Sequence, residues 1–190
     1  MKSKASQLVK PIVVLTLIAA VMAALLGGTD FLTRGRIAAL AEQNEKSAVS
    51  KVIEAESYER REITLDGTAY SYYAALSGSD CVGYAFTVSH NGYGGQVSAV
   101  VGIRADGHIS AVEITDVSGE TPGLGQNAKK ESFTEQFKEA NSPLTVVKSS
   151  PGENEISAVT GATITSRAVA SAVNSALELF EAVSKEASGQ

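Results

Sequence analysis

Three regimes of hydrophobic patterning divide the chain. Pro11 to Gly28 (PIVVLTLIAAVMAALLGG) holds no charge, and its length approaches the roughly 20 apolar residues of a bilayer-spanning helix. From Thr29 to about Glu56 good helix formers dominate. Ile37, Leu40, Ala41, Ala48, Val49, Val52 and Ile53 recur there at near-helical spacing, which predicts a stalk or docking helix. Strand signals follow at Ala69–Leu76, Cys81–Ser89, Val97–Arg104 and His108–Val117, separated by Ser77-Gly78-Ser79-Asp80, Asn91-Gly92 and Asp106-Gly107. Such spacing predicts successive antiparallel hairpins. In Val97–Arg104 the apolar residues Val97, Ala99, Val101 and Ile103 alternate with others, as in a half-buried strand. A helix is expected over Ala128–Ala140, a short β-like run at Leu144–Lys148, and a closing helix from Thr163 to Lys185 with Val169, Val173, Leu177 and Phe180 on one face. The fold class is α+β: an N-terminal transmembrane helix followed by an antiparallel-sheet domain with flanking helices. The expected boundaries are 1–28 for a cytoplasmic stub and anchor, 29–62 for the linker or docking helix, 63–186 for the sheet domain and 187–190 for a tail.

Charge orients the first regime. Lys2, Lys4 and Lys10 precede the apolar run, and Asp30, Arg34 and Arg36 follow it. The positive-inside tendency then places the lysines in the cytoplasm and the rest of the chain outside. A cleaved signal peptide is the rival reading, but its apolar core runs only about 7 to 15 residues and ends in a small-x-small site. Leu25-Leu26-Gly27-Gly28-Thr29 is a poor match to such a site.

A net charge of −5 and a pI near 5.1 argue against nucleic acid as a partner. One cysteine, Cys81, excludes an internal disulfide and a cysteine-cluster metal site. Two histidines, His90 and His108, make a histidine-rich metal centre an unpromising reading. With no catalytic residue or metal ligand set in sight, an added cofactor must supply the chemistry.

Three segments depart from plain periodicity. Thr160-Gly161-Ala162-Thr163-Ile164-Thr165-Ser166 gathers small and hydroxyl residues at the mouth of the last helix. Free N–H groups and the helix dipole attract phosphate there, although Thr160 or Thr163 as a simple N-cap explains the same residues. Gly119-Glu120-Thr121-Pro122-Gly123-Leu124-Gly125 is either a strand-to-helix connector or a loop folded against a planar ligand. Asn91-Gly92-Tyr93-Gly94-Gly95 is either a glycine-dense hairpin or one that offers Tyr93 as an aromatic wall.

Taken in order, the anchor, Gly-Tyr-Gly-Gly, Glu-Thr-Pro-Gly-Leu-Gly and Thr-Gly-Ala-Thr resemble the FMN-binding domain family. Within it the chain most resembles the G subunit of Rnf-type ion-translocating ferredoxin:NAD oxidoreductase complexes. The resemblance runs from the anchor to the last helix. It implies an FMN joined by a phosphoester to Thr163, at the end of the signature formed by Thr160, Gly161, Ala162 and Thr163. Glu120, Thr121, Gly123 and Leu124 match the loop that lies against the flavin, and Tyr93 sits in a matching segment. Where the family signature often begins with aspartate, this chain has Ser157.

The resemblance further implies electron relay within a translocase, with no substrate chemistry in this subunit. The implied partners are a flavin-bearing D subunit, iron–sulfur and polytopic membrane subunits, and a flavin transferase for maturation. The implied location is the cytoplasmic membrane of a bacterium, single-pass, with the flavin domain on the extracytoplasmic side. The span carries no ionisable residue, so it is not the ion path. Two redox alternatives are the C subunit of a sodium-pumping NADH:quinone oxidoreductase and a stand-alone membrane-tethered flavoprotein. A third is a non-redox anchored protein whose Thr-Gly-Ala-Thr only caps a helix.

Overall fold

The computed structural model describes residues 4–65 and 67–187. Lys2 and the tail residues 188–190, on which the charge and tail readings partly rest, lie outside the described residues. The chain divides after Gln43 into two compact units.

Helix α1 (Lys4–Val52) begins in the first unit. Sequence patterning predicts an anchor and a separate docking helix, but the two are continuous. Nothing at the expected junction starts a new helix: the Thr29 hydroxyl donates back to the Leu25 carbonyl at 2.8 Å, inside the existing helix. Gly27 and Gly28 weaken it by only about 1 kcal/mol each. Every large apolar side chain from Val9 to Leu26 is exposed, Leu26 at 68%. The helix is long and apolar enough to cross a membrane, and exposed apolar surface on that scale calls for a lipid or protein cover.

The second unit is built on a five-stranded antiparallel sheet in chain order: β1 (Ser57–Leu65), β2 (Thr68–Ser77), β3 (Asp80–Asn91), β4 (Gln96–Arg104) and β5 (Ile109–Asp116). Four of these are the strands that the hairpin signals predict. β1 was not expected, and it crosses the boundary drawn at residue 63. Its sequence, SYERREITL, buries only Ile63, so apolar alternation is missing. A charged strand at a sheet edge discourages pairing with other chains.

β4 differs from the half-buried expectation because both of its faces are covered. Val97, Ala99, Val101 and Ile103 belong to the larger core, while Val100 faces a second cluster made with Ala48, Val49, Val52 and Ile53. The last turns of α1 therefore supply a lid for that face. At Gly102 a Cβ would lie 2.3 Å from the Val52 carbonyl oxygen, so only glycine permits this approach.

The opposite face is covered by α3 (Thr163–Ala187), which buries Val169, Val173 and Leu177 as predicted, with Phe180 edge-on to Tyr84 at 6.0 Å. The helix expected over 128–140 is instead broken into 3-10 turns at Gly125–Lys129 and Glu135–Phe137 around a four-residue α2 (Glu131–Thr134). Ala128 and Phe133 are both buried, yet residues five apart do not share a helix face. The extended backbone of Lys130 (φ −70°, ψ 137°) turns both inward. Two short parallel strands, β6 (Thr145–Val147) and β7 (Glu155–Ser157), then lead into α3. Gln136 aligns β7, its Oε1 accepting the Ser157 N–H at 2.8 Å.

Candidate functional site

Three loops converge at the N-terminal end of α3. The first is the β3–β4 hairpin tip, closed by a Gly92 N–H donated to the Gly95 carbonyl at 2.8 Å. The second follows β5, where Thr121-Pro122-Gly123-Leu124 forms a turn with Leu124 N–H donated to the Thr121 carbonyl at 3.2 Å. Proline before a glycine of φ +76° is the requirement of a type II turn. The third is the Ala158–Ala162 bend. Gly161 also has φ +76°, and a Cβ there would come within 2.9 Å of Leu124 Cδ2.

Between these loops lies a cavity of about 500 Å³, within the roughly 300–1,000 Å³ of small-molecule sites. Of the residues singled out in the sequence, Tyr93, Glu120, Thr121, Leu124, Gly161, Ala162 and Thr163 line it. Thr160 and Gly123 do not; Thr160 borders a neighbouring hollow with Lys130 and Gln136. Gly125, Ile164 and Thr165, members of the same two segments though not expected as ligand contacts, complete the lining. The signal for Ile164 is an apolar residue beside the acceptor candidate; nothing in the sequence sets Thr165 apart from the other hydroxyls of its segment.

The hydroxyls of the helix mouth differ sharply. Ser166 is buried, donates to the Ala162 carbonyl and accepts the Val159 N–H. Thr165, 1% exposed, donates to Glu120 Oε2 at 2.6 Å. Thr163 is half-buried on the cavity wall. Among the described residues no side chain caps the first turn of α3, so its leading N–H groups are available to an anion.

Glu120 carries the electrostatics. It is 2% exposed, and its Oε1 accepts the N–H groups of Tyr93 at 2.8 Å and Gly94 at 3.0 Å. Burial pushes its carboxyl up, but the Thr165 hydroxyl and the backbone N–H groups of Gly94 and Tyr93 outweigh burial and hold it below the usual glutamate value. A depressed folded pKa contributes stability that is present above the ordinary value and lost as pH falls through the folded one. The melting temperature of the wild type is therefore expected to fall more steeply on acidification below about pH 4.5 than that of Glu120→Gln. Parallel slopes in a thermal-unfolding series would remove this assignment.

The glycines of the motifs serve this packing. A Cβ on Gly94 would meet the Gly119 carbonyl oxygen at 2.2 Å, and one on Gly125 would meet Glu120 Oε2 at 2.5 Å. They let backbone and carboxylate close up beneath the cavity, where sequence reasoning expected room for a planar ligand. The rim is apolar and open: Tyr93 is 73% exposed, Ile164 52% and Leu124 43%. An apolar rim beside an uncapped helix N-terminus suits a planar aromatic ring that carries a phosphate tail, as FMN does.

Comparison with known proteins agrees. The FMN-binding domain family matches residues 92–178, which contain all three motifs. The G subunit of a proton-translocating ferredoxin:NAD(+) oxidoreductase complex from Clostridium ljungdahlii is 43% identical over 109 residues, covering 56% of this chain and 58% of that protein. That match thus spans less than two thirds of the Clostridium protein. The G subunit of a Na(+)-translocating ferredoxin:NAD(+) oxidoreductase complex from Acetobacterium woodii is 36% identical over 190 residues, covering 90% of this chain and 91% of that protein. The crystal structure of NqrC from Shewanella oneidensis shares the fold, with a TM-score of 0.51 and 21% identity over 68% of this chain and 66% of that one. The chain belongs to the G-subunit family of ion-translocating oxidoreductase complexes and carries that family's FMN-binding domain.

Proposed function

We propose that this chain is the electron-relay subunit of a membrane-bound ferredoxin:NAD oxidoreductase that couples electron flow to ion translocation, and that its FMN is joined to Thr163 by a phosphoester. One observation carries the reading. The Thr-Gly-Ala-Thr turn, the Glu120–Gly125 loop and Tyr93 meet at a single cavity, with Thr163 on its wall. When bound, FMN exchanges electrons singly or in pairs and so links one-electron iron–sulfur carriers to a two-electron nicotinamide step. The protein's own part is placement. Tyr93, Leu124 and Ile164 would flank the ring, and the first turn of α3 would hold the phosphate.

The charge of the lining favours a covalent link. Among the described residues the cavity wall holds one carboxylate, Glu120, and no lysine or arginine, so a free phosphate would find no ion pair there. Attachment forms a Thr163 Oγ–P bond as a phosphoanhydride P–O bond of a flavin dinucleotide breaks. The nucleoside monophosphate leaves, and the hydroxyl proton passes to solvent. A flavin transferase catalyses this step during maturation. Flavin-bearing, iron–sulfur and polytopic membrane subunits are the partners in relay. The ion path belongs to them, since the apolar run of α1 has no ionisable residue.

Reduced ferredoxin, added anaerobically to membranes holding the assembled complex, is expected to bleach the absorbance of this subunit's flavin. A flavin that stays oxidised while NAD is reduced would take the subunit off the relay path.

We further propose that the flavin domain lies on the extracytoplasmic side, in keeping with the lysine bias before the span. Cys81 is exposed and is the chain's single cysteine. A membrane-impermeant maleimide is expected to label it in intact cells stripped of any outer barrier, with Cys81→Ser unlabelled. Labelling only after lysis would place the domain in the cytoplasm.

A further inference from the structure

We propose that Glu120 is the positioning residue of the acceptor turn: its buried carboxylate ties the first turn of α3 to the Tyr93 loop, presenting Thr163 and withholding Thr165. The proposal rests on the reading of Thr163 as flavin acceptor. The two oxygens of Glu120 face different elements. Oε1 takes the Tyr93 and Gly94 N–H groups of the hairpin tip, and Oε2 takes the Thr165 hydroxyl at 2.6 Å. One buried side chain thus bridges the loop that carries the aromatic wall and the first turn of the helix.

The surrounding glycines are shaped to this acid. A Cβ at Gly92 would lie 2.2 Å from Oε1, and a Cβ at Gly125 would lie 2.5 Å from Oε2 and 2.8 Å from Thr165 Oγ1. Gly92, Glu120, Gly125 and Thr165 are therefore one packed device.

Helix geometry turns this bracket into a choice between hydroxyls. Residues two apart on an α-helix are about 200° apart around its axis, so drawing Thr165 inward to Glu120 turns Thr163 away from the core. Thr165 is 1% exposed and its proton is committed to a carboxylate, whereas Thr163 is half-buried on the cavity wall. A hydroxyl that must reach phosphorus and give up its proton is available at Thr163 and not at Thr165.

The test uses full-length protein in detergent, a flavin transferase and a flavin dinucleotide. Initial rates of covalent attachment are read by flavin fluorescence of denatured samples, with thermal unfolding recorded for every variant. Glu120→Gln keeps the shape and an oxygen for Tyr93 and Gly94, but turns an amide N–H donor toward Thr165, so the charge-assisted bond that takes the hydroxyl proton is lost. Thr165→Val keeps the shape and removes that proton. Each is expected to slow attachment about tenfold or more, since a misplacement of about 1 Å can cost about a hundredfold. The double variant should be no slower than the slower single one, because both remove the same hydroxyl-to-carboxylate hydrogen bond. Thr165→Ser should restore the rate lost in Thr165→Val.

Wild-type rates in Glu120→Gln and Thr165→Val, or losses that multiply in the double variant, would overturn the proposal. If Glu120→Gln does not fold, the pair at position 165 decides alone, and equal rates for Val and Ser overturn it. Flavin mapped away from Thr163 in the wild-type control would instead remove the underlying reading, an outcome visible without any variant.

Discussion

Thr163→Ala, made in the full chain and coexpressed with a flavin transferase, is expected to lose all covalent flavin. The wild-type protein should gain the mass of FMN less one water and fluoresce under ultraviolet light after denaturing electrophoresis. The variant should do neither, because no other hydroxyl of the turn is both on the cavity wall and free to react. Ser166 is spanned by Ala162 and Val159, and Thr165 is held by Glu120. Thr160 is exposed but borders a different hollow. Thr160→Ala is accordingly expected to keep the mass increment. Full loss in Thr160→Ala with retention in Thr163→Ala would mean that the attachment point lies three residues earlier in the motif.

Phe137→Ala is expected to cost about 3–5 kcal/mol of domain stability, the range for truncating a fully buried aromatic residue. Phe137 is 0% exposed and packs edge-on to Phe133 with ring centroids 5.5 Å apart. The two rings anchor the broken connector that carries the chain from Gly125 to β6, and no regular helix replaces them if they go. Its neighbour Gln136 holds the Ser157 backbone, so losing the anchor should also loosen the approach to the Thr160–Thr163 turn. Denaturant unfolding of wild type and variant checks the magnitude. A cost below about 1 kcal/mol would show that the connector collapses around the gap.

What the sequence could reveal follows from which interactions are local. Hairpin turns and period-two patterning are local, and they led directly to β2 through β5. β1 escaped because an edge strand with one buried residue has no alternation to detect. The Ala128–Ala140 segment misled because its composition favours helix, while the burial of Ala128 and Phe133 requires a break that only tertiary packing imposes. Within the site, phosphate chemistry at a helix mouth drew attention to Thr163, and the motif order drew in Tyr93, Thr121 and Leu124. Gly123, expected against the ligand, lies off the cavity lining, and its φ of +76° serves its own turn. The role of Glu120 was beyond reach for a different reason. Its partners are 26, 27 and 45 residues away, and nothing in a single chain of letters says that a charged residue will be buried under three loops.

The central claim is that flavin is held covalently at Thr163, and the most direct measurement is a fragmentation mass spectrum of the flavinylated tryptic peptide. Cleavage after Lys148 and Arg167 releases one peptide, Ser149 to Arg167, that contains Thr160, Thr163, Thr165 and Ser166 together. Fragment ions are expected to carry the FMN increment only when they include Thr163. An increment that maps to Thr160, Thr165 or Ser166, or a peptide that carries none in protein retaining its flavin, would contradict it.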